Sequence, residues 1–232
     1  MSSSPRISVI IPVFNEQEAI QNVIADIPAG LVTEVVVVDN GSTDQTARLA
    51  AEMGARIVRE DQRGYGRACL AGIAALNRPD IVVFLDGDYS DHPDEMTRLV
   101  DPILQHRADL VIGSRILGCR EPGALLPQAW FGNWLATRLI RCLFRTRYTD
   151  LGPFRAVRYP VLKELGMQDK TFGWTVEMQV KAARQGLRIE EVPVSYRRRI
   201  GVSKITGTVK GTLKAGWKIL FTIFKYKCLN TR

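Results

Sequence analysis

Five short apolar runs punctuate the first half of the chain: "ISVIIPV" (7–13), "EVVVVDN" (34–40), "ARIVRE" (55–60), "DIVVFLDGD" (80–88) and "DLVIGSR" (109–115). Between them lie segments with helical spacing. "FNEQEAIQNVIADI" places Ile20, Val23, Ile24 and Ile27 on one face; "STDQTARLAAEMG" offers Ser42 or Thr43 as a cap and Gly54 as a stop. "GYGRACLAGIAAL" and "DEMTRLVDPILQH" complete the pattern. An uninterrupted run such as VVVV has no polar face, so it belongs in a sheet covered by helices on both sides. Strand–helix units at this interval predict an α/β fold with a mostly parallel, doubly wound (Rossmann-like) sheet. Such sheets bind ligands beyond the carboxyl ends of their strands. The clusters "NE", "DNGSTD", "DGDYSD" and "GSR" therefore converge on one rim.

The second half is less regular. Residues 125–144 carry Trp130, Trp134, Leu135 and Leu139 at helical spacing, 171–186 read as an amphipathic helix, and "LRIEEVPVSYRRR" reads as a late strand. The tail spaces Lys210, Lys214 and Lys218 four apart, with Val209, Leu213, Trp217, Leu220 and Phe224 on a neighbouring face. No repeat or linker divides the 232 residues, so we expect one domain over 1–204 and a basic amphipathic segment over 205–232 in the same folding unit. Charge is unevenly spread: residues 1–114 hold 9 Arg and no Lys against 17 acids, whereas residues 192–232 hold 10 basic residues and no acid. The basic half calls for an anionic partner. Four scattered cysteines without paired spacing argue against a disulfide scaffold or zinc knuckle and favour a reducing, cytoplasmic setting. The short apolar run near the start, closed by Pro12, is not expected to act as a signal peptide, and no stretch is long enough for a spanning helix.

Three carboxylates, Asp86, Asp88 and Asp91, follow the fourth strand within six residues. Two carboxylates held together suit Mg²⁺ or Mn²⁺, whose remaining positions go to phosphate oxygens. The ordinary alternative is a solvated loop in which Asp91 or Asp94 caps a helix. Asp39, beside Gly41 at the end of the second strand, can accept hydrogen bonds from a nucleobase or ribose, while Ser42, Thr43 and Asp44 suit a turn and helix cap. In "YRRRIGVSK", Arg199 and Lys204 flank Gly201 and suit a diphosphate or acceptor phosphate. "GYGRAC" holds part of a dinucleotide-binding pattern but follows the wrong strand; His92 and His106 lack ligand spacing; no nucleophile elbow is present.

Together "SVIIPVFNE", "VVVVDNGSTDQT", "FLDGDYSDHP", "VIGSR", "DLGPFRA", "EMQVKAARQGLRIEEVPV" and "RRRIGVSK" resemble the family 2 (GT-A fold) glycosyltransferases, most closely the dolichol-phosphate mannose or glucose synthase branch. The resemblance runs in order over residues 6–205. It implies that Pro12, Phe14, Glu16, Asp39 and Gly87 line a nucleotide-sugar pocket, and that Asp86 and Asp88 hold the metal with Ser90 nearby. It also implies that Arg115, Arg199 and Lys204 contact phosphates and that Glu177 lies behind the acceptor site. Departures are Asn40 where a second aspartate is common, Gly87 for alanine, "DLGPFRA" for a D-x-x-S-G-F form, and no basic residue between Arg120 and Arg138.

What the resemblance implies is inverting transfer of a hexose from a UDP- or GDP-sugar to a polyprenyl phosphate. The basic amphipathic pattern over 205–227, helped by 126–147, would then suit peripheral binding at the cytoplasmic face of a membrane. An anionic phosphate acceptor needs no base, whereas a hydroxyl acceptor would require one, such as Glu177. Rival readings of "VVFLDGDYS" are a haloacid-dehalogenase-like phosphatase, with Asp86 as nucleophile, and a sugar nucleotidyltransferase. A nucleic-acid adaptor accounts for the tail but leaves the acidic rim unexplained, so no nucleic-acid partner is expected. In the rival reading of the tail it packs on the sheet with its lysines solvated.

Overall fold

The computed structural model describes residues 4–201 and 209–229. In chain order the elements are β1 (Ile7–Val13), α1 (Ile20–Ala25), β2 (Glu34–Asp39), α2 (Thr46–Glu52), β3 (Arg56–Arg59), α3 (Tyr65–Ala75), β4 (Ile81–Phe84), α4 (Met96–Leu104) and β5 (Leu110–Ser114). The second half adds α5 (Pro127–Phe144), β6 (Arg155–Arg158), α6 (Tyr159–Leu165), α7 (Trp174–Arg184), β7 (Ile189–Pro193) and α8 (Val209–Cys228). All five expected early strands form, and the late strand forms as β7.

The seven strands lie in the order β3-β2-β1-β4-β6-β5-β7. β1 pairs in parallel with β2 and β4, setting Ile10 beside Val36 on one side and beside Phe84 on the other. β6 is the addition that the sequence pattern does not announce. It enters antiparallel between β4 and β5, with Ala156 opposite both Val83 and Val111. Its motif "RAVR" lacks the apolar run of a buried strand because it opens on Arg155, which is fully buried with its two terminal nitrogens bonded to main-chain carbonyls and its Nε left without a partner among the described residues. Its guanidinium donates to Thr175 O at 3.0 Å and to the carbonyls of Leu151 and Gly152. β5 consequently points the same way as β4, and the carboxyl ends of β1, β2, β4 and β5 share one rim.

Side-chain alternation divides the core into two layers. Ile10, Val36, Val38, Val82 and Phe84 face α3, α5, α7 and α8, where Trp174 meets Phe84 edge-on at 5.9 Å. Val9, Ile11, Val37, Val83 and Leu85 face α1, α2 and α4. α8 belongs to the first layer through Ile223 and Tyr226, both buried. Its orientation differs from the face suggested by sequence spacing: Trp217 is 73% exposed, and Phe221 and Phe224 also look outward. Spacing identifies an apolar face, but here a Thr222–Ile223–Tyr226 stripe does the packing and the aromatic stripe is left over. No described helix is long and apolar enough to cross a membrane.

Candidate active site

Beyond the carboxyl ends of β1, β2 and β4 lies a cavity of about 400 Å³, whose walls include Pro12, Phe14, Glu16, Asn40, Arg63, Tyr65, Asp86, Gly87, Asp88, Phe172 and Arg199. Three of the four expected polar clusters thus contribute to one space.

The acid pair sits at its centre. Tyr65 Oη donates to Asp86 Oδ1 at 3.0 Å. Asp86 is open to the cavity but otherwise enclosed, and burial together with the neighbouring Asp88 carboxylate pushes it up to about 7. Asp88 is oriented from behind: Ser90 donates to its Oδ1 from the main chain at 3.0 Å and from Oγ at 2.5 Å. In front, Arg199 bridges two acids, with Nη1 3.1 Å from Asp88 Oδ2 and Nη2 3.1 Å from Glu16 Oε1. The bend carrying Arg199 is fixed to the same loop by main-chain bonds from Arg197 N to Ser90 O and from Ile200 N to Asp88 O, both 2.9 Å. Gly87 allows close packing here, since a Cβ would lie 2.6 Å from Val13 Cγ1 and would need the Val13 side chain to shift. Asp91, the third acid, is buried with neither carboxylate oxygen hydrogen-bonded among the described residues. Burial and the fields of Asp86 and Asp88 hold its carboxyl well above the usual range.

The opposite wall comes from residues to which the sequence reading assigned no such role. Asn40 donates through Nδ2 to Glu60 O and Gln62 O, both at 2.8 Å, and accepts from Gly64 N at 2.7 Å. It thereby pins the loop that lays the Arg63 guanidinium 3.3 Å from the centre of the Phe14 ring. Here an amide serves where a second aspartate is common, because this position must both donate and accept. The glycines of "GYGRAC" have a purpose other than dinucleotide binding. A Cβ on Gly64 or Gly66 would fall 2.2 Å from Lys170 O or 2.0 Å from Asp169 O, so their absence of side chains lets the 168–172 loop close against α3. That loop brings Thr171 and Phe172 to the cavity.

Other expected residues lie elsewhere. Asp39 is buried behind Asn40, and its Oδ1 caps the turn by accepting from Ser42 N at 2.8 Å. Arg115 is locked to Asp150 by paired bonds of 2.8 and 2.7 Å, and its main-chain N–H bonds the same carboxylate. Glu177 is fully buried: it accepts from Gln168 N, Asp169 N and Tyr226 Oη, and pairs with Lys181 at 2.8 Å. None of these three lines the cavity, because each carboxylate or guanidinium is committed to a neighbouring loop. Ser90 stands behind Asp88 rather than facing the space. Lys204 lies outside the described residues.

The Glycosyl transferase family 2 profile matches residues 8–166. A glycosyltransferase of Mycobacterium bovis is 38% identical over 222 residues, covering 92% of this chain and 97% of its own. The dolichyl-phosphate hexose transferase of Haloferax volcanii is 34% identical over 204 residues, covering 86% of each. Among solved structures, glucosyl-3-phosphoglycerate synthase from Mycobacterium tuberculosis, in complex with Mn²⁺, UDP and phosphoglyceric acid, superposes with a TM-score of 0.77. It is 25% identical and covers 98% of this chain and 80% of its own. These likenesses set aside the phosphatase and nucleotidyltransferase readings of the acid pair. The sheet order, the rim cavity and the matched motifs converge: the chain belongs to glycosyl transferase family 2 and has the GT-A fold.

Proposed function

We propose that the protein transfers a hexose from a UDP- or GDP-sugar to a polyprenyl phosphate, with inversion at the anomeric carbon. The observation that carries the reading is the Asp86/Asp88 pair at the floor of the rim cavity, faced by the Arg199 guanidinium. The donor set fits a hard divalent ion: two carboxylates whose enclosure and mutual repulsion push Asp86 to about 7 gain from a cation between them and a diphosphate. Asp86 and Asp88 would hold Mg²⁺ or Mn²⁺, which when bound supplies Lewis-acid stabilisation of the leaving diphosphate.

The chain's own groups do the rest. Arg199 donates to the departing diphosphate from a position already fixed by main-chain bonds, so little reorganisation accompanies the developing charge. Phe14, Arg63 and Asn40 shape the end of the cavity that would take the nucleoside. Among the cavity carboxylates, Glu16 is paired with Arg199 and the other two form the acid pair, while Glu177 lies outside. That distribution favours an acceptor that is already anionic and needs no general base.

The exterior supports a lipid-linked acceptor. α5 exposes Trp130, Phe131 and Trp134, and α8 exposes Trp217, Phe221 and Phe224 among Lys214, Lys218 and Lys225. The two helices pack together, with Lys227 Nζ donating to Leu143 O at 3.2 Å. Exposed aromatics with basic residues suit the interface of an anionic membrane. A second reading, a soluble acceptor, draws on the phosphoglyceric acid bound in the related synthase.

Labelled UDP-glucose and GDP-mannose, each with Mn²⁺ and either undecaprenyl phosphate or 3-phosphoglycerate, separate the readings. Label extracted into butanol with the lipid is the expected result. Label found only on 3-phosphoglycerate overturns the lipid acceptor, and no turnover of either sugar nucleotide overturns the donor.

A further inference from the structure

A second cleft, of about 220 Å³, lies between α8 and the 168–172 loop. Lys170, Lys218 and Lys225 line it with the hydroxyl-bearing Thr171 and Thr222, and Phe221 stands at its edge, half exposed. One carboxylate offsets this charge: Asp169 pairs with Lys218 at 2.8 Å. Lys170 and Lys225 have no carboxylate partner among the described residues, so the cleft carries excess positive charge.

The walls are already built. Glu177 holds the loop by accepting from Gln168 N at 3.0 Å and Asp169 N at 2.6 Å, and holds α8 through Tyr226 Oη at 2.6 Å. On the far side Arg67 N donates to Lys170 O at 3.2 Å and Gly66 N to Thr171 O at 3.3 Å. Ammonium groups around a walled cleft suit a phosphate ester, and an exposed aromatic edge suits one that carries an apolar tail. The Thr171 and Thr222 hydroxyls already donate, to Asp169 Oδ1 at 3.1 Å and to Lys218 O at 2.8 Å, so the lysines carry the recognition. The loop also supplies Thr171 and Phe172 to the donor cavity, so it separates the two spaces.

We propose that this cleft is a second phosphate site, distinct from the donor cavity, which seats the phosphate ester of an anionic membrane glycerophospholipid. The source of the phosphate rests on the membrane docking proposed above; the existence of the site does not.

The test uses the full chain and two double variants. Lys170→Gln/Lys225→Gln empties the cleft of its unpaired charge but leaves the Lys218–Asp169 pair in place. Lys214→Gln/Arg141→Gln removes the same charge from α8 and α5 outside the cleft. Binding is read by sedimentation with phosphatidylglycerol–phosphatidylcholine vesicles and by calorimetric titration with glycerol 3-phosphate; Tm verifies folding. The cleft variant should lose about tenfold more vesicle partitioning than the control variant, whose loss reports only general surface attraction. It should also lose saturable glycerol 3-phosphate binding. Equal losses for the two variants, with no glycerol 3-phosphate binding by the parent, overturn the site. Glycerol 3-phosphate binding that needs the cleft, alongside vesicle binding that does not, overturns the lipid source and assigns a soluble ester. A parent that binds glycerol 3-phosphate but no vesicles overturns the membrane docking and leaves the site standing.

Discussion

At one rim of the sheet, Asp109 immediately precedes β5 and is fully served. Arg188 reaches its two oxygens at 2.8 and 3.0 Å, Arg158 adds a bond of 3.0 Å, and the Arg188 main chain adds another of 3.1 Å. Bonds from Arg188 and Arg158 hold the carboxyl well below its ordinary range despite partial burial. At the opposite rim, Asp86, Asp88 and Asp91 crowd together with few cations, and Asp86 is pushed the other way. Both are acids at strand ends of one sheet. The first arrangement stabilises the fold unaided; the second stores repulsion that a cationic ligand would relieve, at a cost to the ligand-free protein.

The largest effects should come from breaking the strained rim. Asp88→Asn should lower the transfer rate about 10³-fold, read as initial rates in the labelled-sugar assay. Asp86→Asn should do the same while stabilising the metal-free protein at pH 8. A raised carboxyl binds more protons folded than unfolded, so stability falls as pH rises from about 4 to about 7. Removing that charge should return on the order of 1–3 kcal/mol by thermal denaturation, since the cavity partly solvates it. Unchanged stability across this window would place Asp86 in an ordinary solvated loop.

Arg199→Gln should reduce transfer about 10²-fold and weaken nucleotide binding by calorimetry, because Glu16 and Asp88 would lose their shared cation. The satisfied rim should respond differently. Asp109→Asn should cost about 1–3 kcal/mol of stability with transfer unchanged. Its contribution is present above the unfolded carboxyl value and is lost as pH falls below about 4. Glu177→Gln should resemble Asp109→Asn, lowering Tm while transfer changes by less than about threefold, because its partners are the 168–169 main chain, Tyr226 and Lys181. A collapse of transfer at an unchanged Tm would instead give Glu177 a catalytic part. Tyr65→Phe, removing one hydrogen bond to Asp86, should cost about 0.5–1.5 kcal/mol, read as a fall in transfer rate with Tm unchanged, the smallest free-energy change of the set.

The sequence is informative where local pattern and local chemistry coincide. β1 to β5 announce themselves as apolar runs, and Phe14, Glu16, Asp86 and Asp88 lie directly after the strands that carry them to the cavity. Legibility ends where tertiary partners decide. Arg155 reads as surface charge until the carbonyls of 151, 152 and 175 are brought to it. Asn40 and Arg63 acquire meaning only once the 60–64 loop folds back, an event that no spacing encodes. Arg115 and Glu177 have the right chemistry for phosphate or proton work, but Asp150 in one case and the 168–169 loop in the other claim them. For α8 the spacing identifies one apolar face, and the stripe that packs, Thr222, Ile223 and Tyr226, is a different one that only the neighbouring helices select.

The interposed β6 governs the order in which this molecule can assemble during synthesis. β4 and β5 leave the ribosome first, yet they share no ladder; each must wait for Arg155–Arg158 to bridge them. Until then one edge of β4 and both edges of β5, whose other neighbour β7 comes later still, stay open to stray pairing. A nascent chain halted near residue 150 should therefore be a client for chaperones, and release of a few dozen further residues should let the sheet close.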